Sequence, residues 1–242
     1  MEAIKTEGLT KRYGDLIAVN NLSLEIKEGE VFSLLGINGA GKTTTVKMLS
    51  CLVKPTSGRA VIFGKDTVED AMSVKRVIGV SPQETAVAPQ LTAWENLELI
   101  CGLHGLLRAE SRRRVEEIAD RLGLCEILSQ KAGKLSGGWQ RRLSIAMALI
   151  SEPSILFLDE PTLGLDVIAR SELWDLIRTL KGQVTVVLTT HYMEEAEALS
   201  DRIGIMKNGK LLVVGTAREL MKKTGTDKFE DAFISIVKEA RT

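Results

Sequence analysis

The run GINGAGKT, which begins at Gly36, constrains the fold of this chain more than any other feature of its sequence. Gly36, Gly41, Lys42 and Thr43 fit the pattern G-x-x-x-x-G-K-[ST], which needs a strand before it and a helix after it. VFSLL at 31–35 predicts that strand, and KTTTVKMLS predicts that helix. Glycines in such a turn let backbone N–H groups point inward at the N-terminus of a helix, so the loop is predicted to cradle phosphate oxygens.

Two side chains of this cradle have separate predicted tasks. Lys42 is expected to hold the β- and γ-phosphates of a nucleotide, and Thr43 is expected to offer its hydroxyl to Mg²⁺. A glycine-rich strand-to-helix turn with a chance lysine is the alternative, and the flanking elements disfavour it.

A second apolar strand, ILFLD at 155–159, is followed directly by another acid. Asp159 at the strand end is predicted to reach the metal, usually through water. Glu160 is predicted to orient and deprotonate the attacking water. Pro161 stops the strand because it has no N–H to donate. A surface acidic pair that caps the next helix is the competing interpretation.

Three further residues have a functional interpretation only because the phosphate cradle and the acidic pair are present in the same chain. His191 follows the apolar run VTVVLTT at 184–190, where an imidazole could contact the γ-phosphate or the attacking water. Gln83 ends another β-like run and could contact metal-bound water in one state and release it in another. Tyr13 offers a ring on which adenine could stack. Taken alone, each would be an ordinary structural residue.

The alternation of short β-like runs with longer helical ones predicts an α/β fold with a largely parallel sheet. LIAVNNLSLEIKEGE, near the N-terminus, has period-two alternation and predicts an antiparallel β subdomain. Residues 84–150 lack a strong strand and are predicted to form an inserted helical subdomain. The domain is expected to span 1–226, with a C-terminal helical extension over 227–242.

That extension carries an apolar helical stripe, which we expect to pack on its own domain rather than on a partner. The stripe consists of Phe229, Ala232, Phe233, Ile236, Val237 and Ala240. A second stripe, in SELWDLIRTL, predicts an amphipathic helix. Its apolar members are Leu173, Leu176, Ile177 and Leu180.

Composition excludes several classes of protein. The chain has 242 residues, 44% hydrophobic and 26% charged, which is ordinary for a globular protein. Lys plus Arg and Asp plus Glu both number 32, so no nucleic-acid partner is expected. The three cysteines are widely spaced, which favours a reducing compartment. The N-terminus lacks the apolar core of a secretory signal, and no run approaches the roughly 18 apolar residues of a membrane span. Any membrane part is therefore expected in another chain.

LSGGWQ at 135–140 looks like a second anion site, although the first is already complete. Ser136, Gly137 and Gly138 precede the helix-like run QRRLSIAMALI, so they present backbone N–H groups at another helix N-terminus. A serine that simply caps this helix is the alternative.

Together, GINGAGKTT, the Gln83 loop, LSGGWQRR, ILFLDEP, LGLD and LTTHYMEEAE resemble the nucleotide-binding domain of ATP-binding-cassette transporters over about residues 3–220. The resemblance implies a P-loop core with a helical subdomain, ATP and Mg²⁺ as ligands, and Mg²⁺ contacts from Thr43, Gln83 and Asp159. It makes Gln83 the coupling glutamine and His191 the switch histidine. The nucleotide contacts that it implies in the chain's own site are Tyr13, Asn38, Gly39, Gly41, Lys42, Thr43, Thr44 and Gln83.

The resemblance also implies why one nucleotide has two cradles. Two such domains pair head to tail, and Ser136, Gly137 and Gly138 close on the γ-phosphate held by the partner's P-loop. Asp166, in LGLD, would lie at the seam. The γ-phosphate then joins the two subunits until hydrolysis removes it. Trp139 departs from the family, which most often has glutamine there, and the glutamine follows as Gln140.

The predicted protein is therefore an ATPase subunit that powers separate transmembrane permease chains from the cytoplasmic face of the membrane, paired with a copy of itself or a similar chain. LTAWENLEL, THYMEEAEALSDRIGIMKNGK and FEDAFISIV resemble ABC-2-type exporters of drugs, lipids or natural products. The main alternative is a soluble ATPase of the same superfamily that acts on DNA or the ribosome, which would need heptads or a second cassette. A P-loop kinase leaves LSGG unexplained.

Overall fold

A computed structural model describes residues 1–239 and shows ten strands and nine α-helices in that range. The strands are β1 (Glu2–Tyr13), β2 (Leu16–Lys27), β3 (Val31–Leu35), β4 (Ser57–Ile62), β5 (Lys65–Asp66), β6 (Ile78–Ser81), β7 (Ile155–Asp159), β8 (Thr185–Thr190), β9 (Arg202–Lys207) and β10 (Lys210–Gly215). The helices are α1 (Lys42–Leu49), α2 (Ala71–Lys75), α3 (Ala93–Leu103), α4 (Arg108–Arg121), α5 (Gly137–Leu149), α6 (Val167–Leu180), α7 (Met193–Leu199), α8 (Ala217–Thr224) and α9 (Phe229–Glu239).

The strands form two sheets. One is antiparallel with four strands in the order β2-β1-β4-β5, and the other has six strands in the order β10-β9-β3-β8-β7-β6. Every neighbouring pair in the second sheet is parallel except β10 with β9. This arrangement confirms the predicted α/β fold with a mostly parallel core sheet and an N-terminal antiparallel sheet.

The complete burial of three neighbouring strands in the larger sheet explains why the sequence predicted their positions. All residues of β3, β7 and β8 are buried, as expected for parallel strands covered on both faces. Their register pairs Leu35 with Thr190 and Asp159 with Thr189. The carboxyl ends of these strands therefore lie side by side, at the edge where ligands bind in open α/β sheets.

The segment between β6 and β7 is helical, as the sequence predicts. Its helices are α3, α4 and α5, and its only strand-like feature in the described structure is an isolated bridge between Thr92 and Lys131. Thr92 and Glu95 form a reciprocal capping box that fixes the start of α3. The apolar residues of these helices share one buried cluster with β7 and β8, so the insertion is continuous with the core.

The described residues of the two predicted apolar stripes are mostly buried. All four apolar residues of the α6 stripe are buried. On α9, Ala232 is buried and Val237 is half-buried, while Phe229, Phe233 and Ile236 pack in one cluster with Leu35, Ile203, Ile205 and Leu220. The C-terminal helix therefore packs on its own domain, as predicted, while Ala240 lies outside the described residues. Among residues 1–239, no helix combines the length and apolarity needed to cross a bilayer.

Candidate nucleotide-binding site

The loop between β3 and α1 has the backbone geometry of a phosphate cradle. A Cβ atom at Gly36 would lie 2.5 Å from the carbonyl oxygen of Met206, so only glycine fits there. Gly41 has φ of 102°, and a Cβ would lie 2.4 Å from the carbonyl oxygen of Ala18. Helix α1 begins at Lys42 with no side-chain cap and no acidic residue in its first turn. Its N-terminal N–H groups are thus positioned to bind an anion.

Lys42 is buried at the base of this loop. Its Nζ donates hydrogen bonds to the carbonyl oxygens of Gly36 at 2.8 Å and Ile37 at 3.3 Å. The same atom lies 3.1 Å from Oε1 of Glu160, and the two side chains are 5% and 7% exposed. Because the loop itself holds the ammonium group, its charge has a fixed position beside the backbone cradle.

Glu160 is held by its backbone as well as by its side chain. Its φ is 48°, a left-handed conformation that is uncommon for residues other than glycine and that clusters at functional sites. Its N–H donates to the carbonyl oxygen of Thr189 at 3.1 Å and to its Oγ1 at 3.0 Å. Oε2 of Glu160 lies 2.6 Å from Nδ1 of His191. The carboxylate is therefore fixed between a lysine and a histidine.

Asp159 lies beside these residues and is bound by two hydroxyls. Thr43 Oγ1 donates to Oδ1 of Asp159 at 3.0 Å, and Thr189 Oγ1 donates to the same oxygen at 2.5 Å. A hydroxyl and a carboxylate oxygen are hard donors of the kind that Mg²⁺ prefers. Within the described residues, no group of three or more His, Cys, Asp or Glu side chains is arranged to hold a metal by itself. A Mg²⁺ ion here would therefore also need oxygens from phosphate and water.

A cavity of about 630 Å³ opens at this edge of the core sheet. Beside the predicted residues, Leu16, Ile17 and Leu163 give it apolar walls. The predicted residues in its lining are Asn38, Gly39, Gly41, Lys42, Thr43, Thr44, Gln83, Glu160 and His191.

Tyr13 does not line this cavity in the structure. It is the last residue of β1, is 46% exposed, and has Nζ of Lys11 5.0 Å from its ring centroid. Its place on the hairpin next to Leu16 leaves its ring free at the surface. The contact between Tyr13 and adenine therefore stays a prediction, because the ring does not line the cavity.

The run LSGGWQ at 135–140, named the signature loop here, also lies outside this cavity. Ser136 is the N-cap of α5, and its Oγ accepts a 3.4 Å hydrogen bond from the N–H of Trp139. A Cβ on Gly138 would lie 3.0 Å from Cβ of Ala169, so the loop packs closely against α6. Asp166 caps α6 by accepting hydrogen bonds at 2.9 Å from the N–H groups of Ile168 and Ala169. Ser136 and Asp166 are thus adjacent helix caps that do not contribute to the chain's own cavity.

Sequence reasoning missed the side chain that anchors the Gln83 loop. Arg141, which is buried on α5, donates to the carbonyl oxygens of Pro82 at 2.6 Å and Gln83 at 2.5 Å. Burial lowers the pKa of Arg141, while the charges of Asp159 and Glu195 act in the opposite direction. Only its place directly after LSGGWQ, in WQRR, could have drawn attention to it.

Thr189 and Glu195 were missed as well. Thr189 binds both strand-end acids, and the doublet LTTH was the only sequence signal for it. Glu195 is fully buried on α7, where its Oε1 accepts a 3.2 Å hydrogen bond from Nε1 of Trp174. Burial raises the pKa of Glu195. Thr189 therefore fixes the two strand-end acids, whereas the hydrogen bond of Glu195 is to Trp174 and not to a predicted site residue.

A phosphate cradle, two strand-end acids, a strand-end histidine and a serine-glycine helix cap outside the cavity define an ATP-binding cassette. The family model described as ABC transporter matches residues 19–163, more than half of the chain, and the chain therefore belongs to the ABC transporter family. As in that family, it is an ATP-binding subunit whose ATP hydrolysis drives transport.

Similar proteins agree with this assignment. The daunorubicin resistance ATP-binding protein DrrA3 of Streptomyces coeruleorubidus is 44% identical, over 94% of this chain and 72% of that protein. The linearmycin resistance ATP-binding protein LnrL of Bacillus subtilis is 39% identical, over 98% of this chain and 76% of that protein. A bacterial ABC transporter cassette, solved as a dimer, is 33% identical with a TM-score of 0.79, over 88% of this chain and 98% of that one. These findings favour the transporter subunit over an ATPase that acts on DNA or the ribosome.

Proposed function

We propose that this chain powers a drug, lipid or natural-product exporter, and that ATP bound with Mg²⁺ joins two cassettes beneath a separate membrane chain. The observation that carries the proposal is that Lys42 and His191 each lie within hydrogen-bonding distance of the Glu160 carboxylate. A phosphate-binding cation, a base and its orienting imidazole meet beside one cradle, which is what ATP hydrolysis requires.

In the proposed site, the phosphates bind the N-terminus of α1 and Lys42. Asn38, Gly39, Gly41 and Thr44 belong to the same lining and supply further polar contacts. The adenine is proposed to lie toward the β1–β2 hairpin, where Leu16 and Ile17 line the cavity. Tyr13 is the proposed stacking partner there.

Thr43 and Asp159 are the proposed protein ligands of Mg²⁺, with Gln83 reaching it from the facing loop. The first two already share an oxygen contact at 3.0 Å, and Gln83 lines the same cavity. When bound, Mg²⁺ neutralises the charge of the phosphate oxygens. Because Arg141 fixes the backbone of Gln83, a change at the nucleotide would be transmitted to α5 and the signature loop.

Glu160 is the proposed general base, and Lys42 controls its availability. Oε1 of Glu160 now pairs with Lys42, whose ammonium group is also needed by the phosphates. When phosphate oxygens bind Lys42, Oε1 is released and can accept a proton from water. His191 keeps Oε2 in place throughout, so the carboxylate is oriented before the water attacks the γ-phosphate.

The second cradle is proposed to serve a partner cassette. Ser136, Gly137 and Gly138 lie outside the chain's own cavity, at the N-terminus of α5. They would close on the γ-phosphate held by the partner, with Asp166 at the seam. The head-to-tail pair then contains two complete sites, each built from both chains. Residues 1–226 form the proposed domain, with 84–150 as its helical subdomain and 227–242 as its extension.

The proposed cargo class rests on the names of the relatives, which are resistance proteins for daunorubicin and linearmycin. We place the protein at the cytoplasmic face of the cell membrane, held by its membrane partner, with no nucleic acid involved. A search for the partner should begin with membrane chains that co-purify with it.

The proposal is tested by ATPase and efflux measurements on one set of variants. Glu160→Gln should lower kcat about 10²–10⁴-fold, as expected for loss of a general base. Glu197→Gln, an exposed acid on α7, is the matched control and should not change kcat. In cells that also produce the membrane partner, daunorubicin should accumulate less with the wild type than with Glu160→Gln. ATPase stimulation by DNA or ribosomes, with no effect on accumulation, would contradict the proposal.

A further inference from the structure

Tyr192 lies between the switch histidine and helix α6. Its ring centroid is 4.1 Å from that of His191, with the planes tilted by 39°. The guanidinium carbon of Arg170 lies 4.8 Å from the centroid of the same tyrosine ring. A cation, an aromatic ring and the imidazole therefore form one stack that ends at Glu160, 2.6 Å from Nδ1 of His191.

Arg170 has few other interactions that could explain its place. Its Nε is buried without a hydrogen-bond partner, and in the described part of the chain it makes no ion pair. A guanidinium over an aromatic face is attracted by the negative charge of the ring, and partial burial strengthens that attraction. The contact with Tyr192 is therefore the main interaction that orients this side chain.

The stack begins at the proposed seam between cassettes. Arg170 lies in the first turn of α6, and its N–H donates to the carbonyl oxygen of Asp166 at 3.0 Å. Val167 and Ile168, in the same turn, are exposed apolar residues. A movement of this turn would reach Arg170 directly, and through Tyr192 it would reach His191.

We infer that Arg170 and Tyr192 are positioning residues for His191. Stacking fixes the plane of the imidazole, so that Nδ1 meets Glu160 while the ring faces the nucleotide cavity that His191 lines. The inference rests on the proposed role of His191 in hydrolysis. It adds a route within one chain from the seam at Asp166 to the proposed base.

Paired substitutions distinguish a positioning role of Arg170 and Tyr192 from a role in packing alone. Tyr192→Phe keeps the ring and should keep kcat, whereas Tyr192→Leu should lower kcat about tenfold with KM for ATP unchanged, because the cation–π contact and ring stacking are lost. Arg170→Met keeps the aliphatic stem and should also lower kcat about tenfold. Arg170→Lys keeps the cation and should restore most of that loss.

Arg178→Met is the matched control on the same helix. Arg178 lies over the ring of Trp174, with its guanidinium carbon 6.0 Å from the centroid, and belongs to no part of the proposed site. This variant removes a cation above an aromatic ring without touching His191. It should leave both kcat and the His191 imidazole unchanged.

Nuclear magnetic resonance supplies a readout that a merely structural role would not move. The chain has two histidines, His104 and His191, so a His104→Gln variant identifies the His191 imidazole signal. Arg170→Met, which keeps the Tyr192 ring and its ring current, should shift the His191 signal and leave that of His104 in place. Because Arg170 is half-buried, its variant keeps the test valid if Tyr192→Leu does not fold.

The positioning of His191 and its role in hydrolysis are separately testable. Unchanged kcat in both Tyr192→Leu and Arg170→Met, with an unchanged His191 signal in Arg170→Met, would overturn the inference. Full ATPase activity in His191→Ala would instead contradict the proposed role of His191, whatever the imidazole signal shows.

Discussion

Lys42 and Glu160 form a buried ion pair in which the ammonium group proposed to bind phosphate balances the charge of the proposed base. Nζ of Lys42 lies 3.1 Å from Oε1 of Glu160, at the meeting of α1 with the end of β7. A buried pair of this kind contributes little net stability, because desolvation offsets attraction. Its significance is functional, since a phosphate that binds Lys42 also changes the surroundings of Glu160.

Thr189→Val should impair both stability and hydrolysis. The hydroxyl of Thr189 donates to Asp159 and accepts from the N–H of Glu160, so valine removes one of the two hydrogen bonds that each group makes. Losing these two buried hydrogen bonds should cost about 1–3 kcal/mol, and displacing two site acids should lower kcat at least about tenfold. Urea unfolding and steady-state ATPase assays measure the two effects.

The control for that substitution is on the same strand. Thr185→Val, at the other end of β8, removes a buried hydroxyl that accepts a 3.0 Å hydrogen bond from the N–H of Gly29. It should lose comparable stability and retain kcat. Equal losses of kcat in both variants would show that Thr189 has no special relation to the site.

Arg141→Met should release the Gln83 loop. Each hydrogen bond to a charged group contributes about 1.5–3 kcal/mol, and two carbonyl oxygens lose their charged donor. Exchange of the backbone amide hydrogens at 83–86 should therefore become faster. The ATPase activity should also depend less strongly on the Mg²⁺ concentration. Arg142→Met, which removes the neighbouring and more exposed guanidinium, should leave exchange in this loop unchanged. Slow exchange in Arg141→Met would contradict the anchoring role.

The buried parallel strands of the larger sheet and the position of the site were predictable because they depend on local pattern, whereas β9 and β10 were not predicted. Continuous apolar runs marked β3, β7 and β8, and the residues that follow them had to meet at one edge. The sequence did not predict β4 and β5. SGRAVI, which forms β4, is half-exposed in an open four-stranded sheet, and KD, which forms β5, has only two residues. β4 pairs with β1, which lies about fifty residues earlier in the chain, and β5 pairs with β4.

The positions of Arg141, Trp174 and Glu195 could not be predicted because they depend on tertiary contacts. Arg141 reaches Pro82 across 59 positions, and the Trp174 indole reaches Glu195 across 21. No spacing rule signals such contacts. Tyr13 is the opposite case, in which the sequence predicted a residue of the site. Its position predicted adenine stacking, whereas the structure leaves it outside the cavity lining.

Glu195→Gln should stabilise the folded chain at neutral and higher pH. Burial raises the folded-state pKa of Glu195 above its ordinary value of 4.5, so the unfolded chain releases this proton first as pH rises. Wild-type stability therefore falls as pH rises from 4.5 to the folded-state pKa, with a slope that approaches about 1.4 kcal/mol per pH unit. The amide does not titrate and avoids that loss.

Unfolding free energies at pH 5 and pH 8 test this prediction. The advantage of Glu195→Gln should be larger at pH 8 and should shrink as pH falls toward 4.5. Glu194→Gln, which changes the exposed neighbour, should show no such trend. A variant less stable than wild type at pH 8 would mean that Glu195 is ionised and paired in the folded chain.

Trp139→Gln should retain ATPase activity within a few-fold. The Trp139 side chain packs against the apolar core and beneath Arg142, whose guanidinium carbon lies 4.9 Å from the ring centroid. Its contact with Ser136 is through the backbone N–H, which glutamine also has. Gln140 holds the preceding turn through the carbonyl oxygens of Ala132 and Leu135. Complete loss of activity would show that the indole itself supports the signature loop.

The central claim is that ATP joins two cassettes through the cradle of one chain and the signature loop of the other. Glu160→Gln blocks the proposed base and should trap that pair, so light scattering after size exclusion should report a dimer with ATP and Mg²⁺ and a monomer with ADP. Adding Ser136→Arg, which places a bulky side chain at the signature cap, should abolish the dimer without abolishing ATP binding. A monomer at saturating ATP in Glu160→Gln, or a dimer that persists with Ser136→Arg, would contradict the shared site.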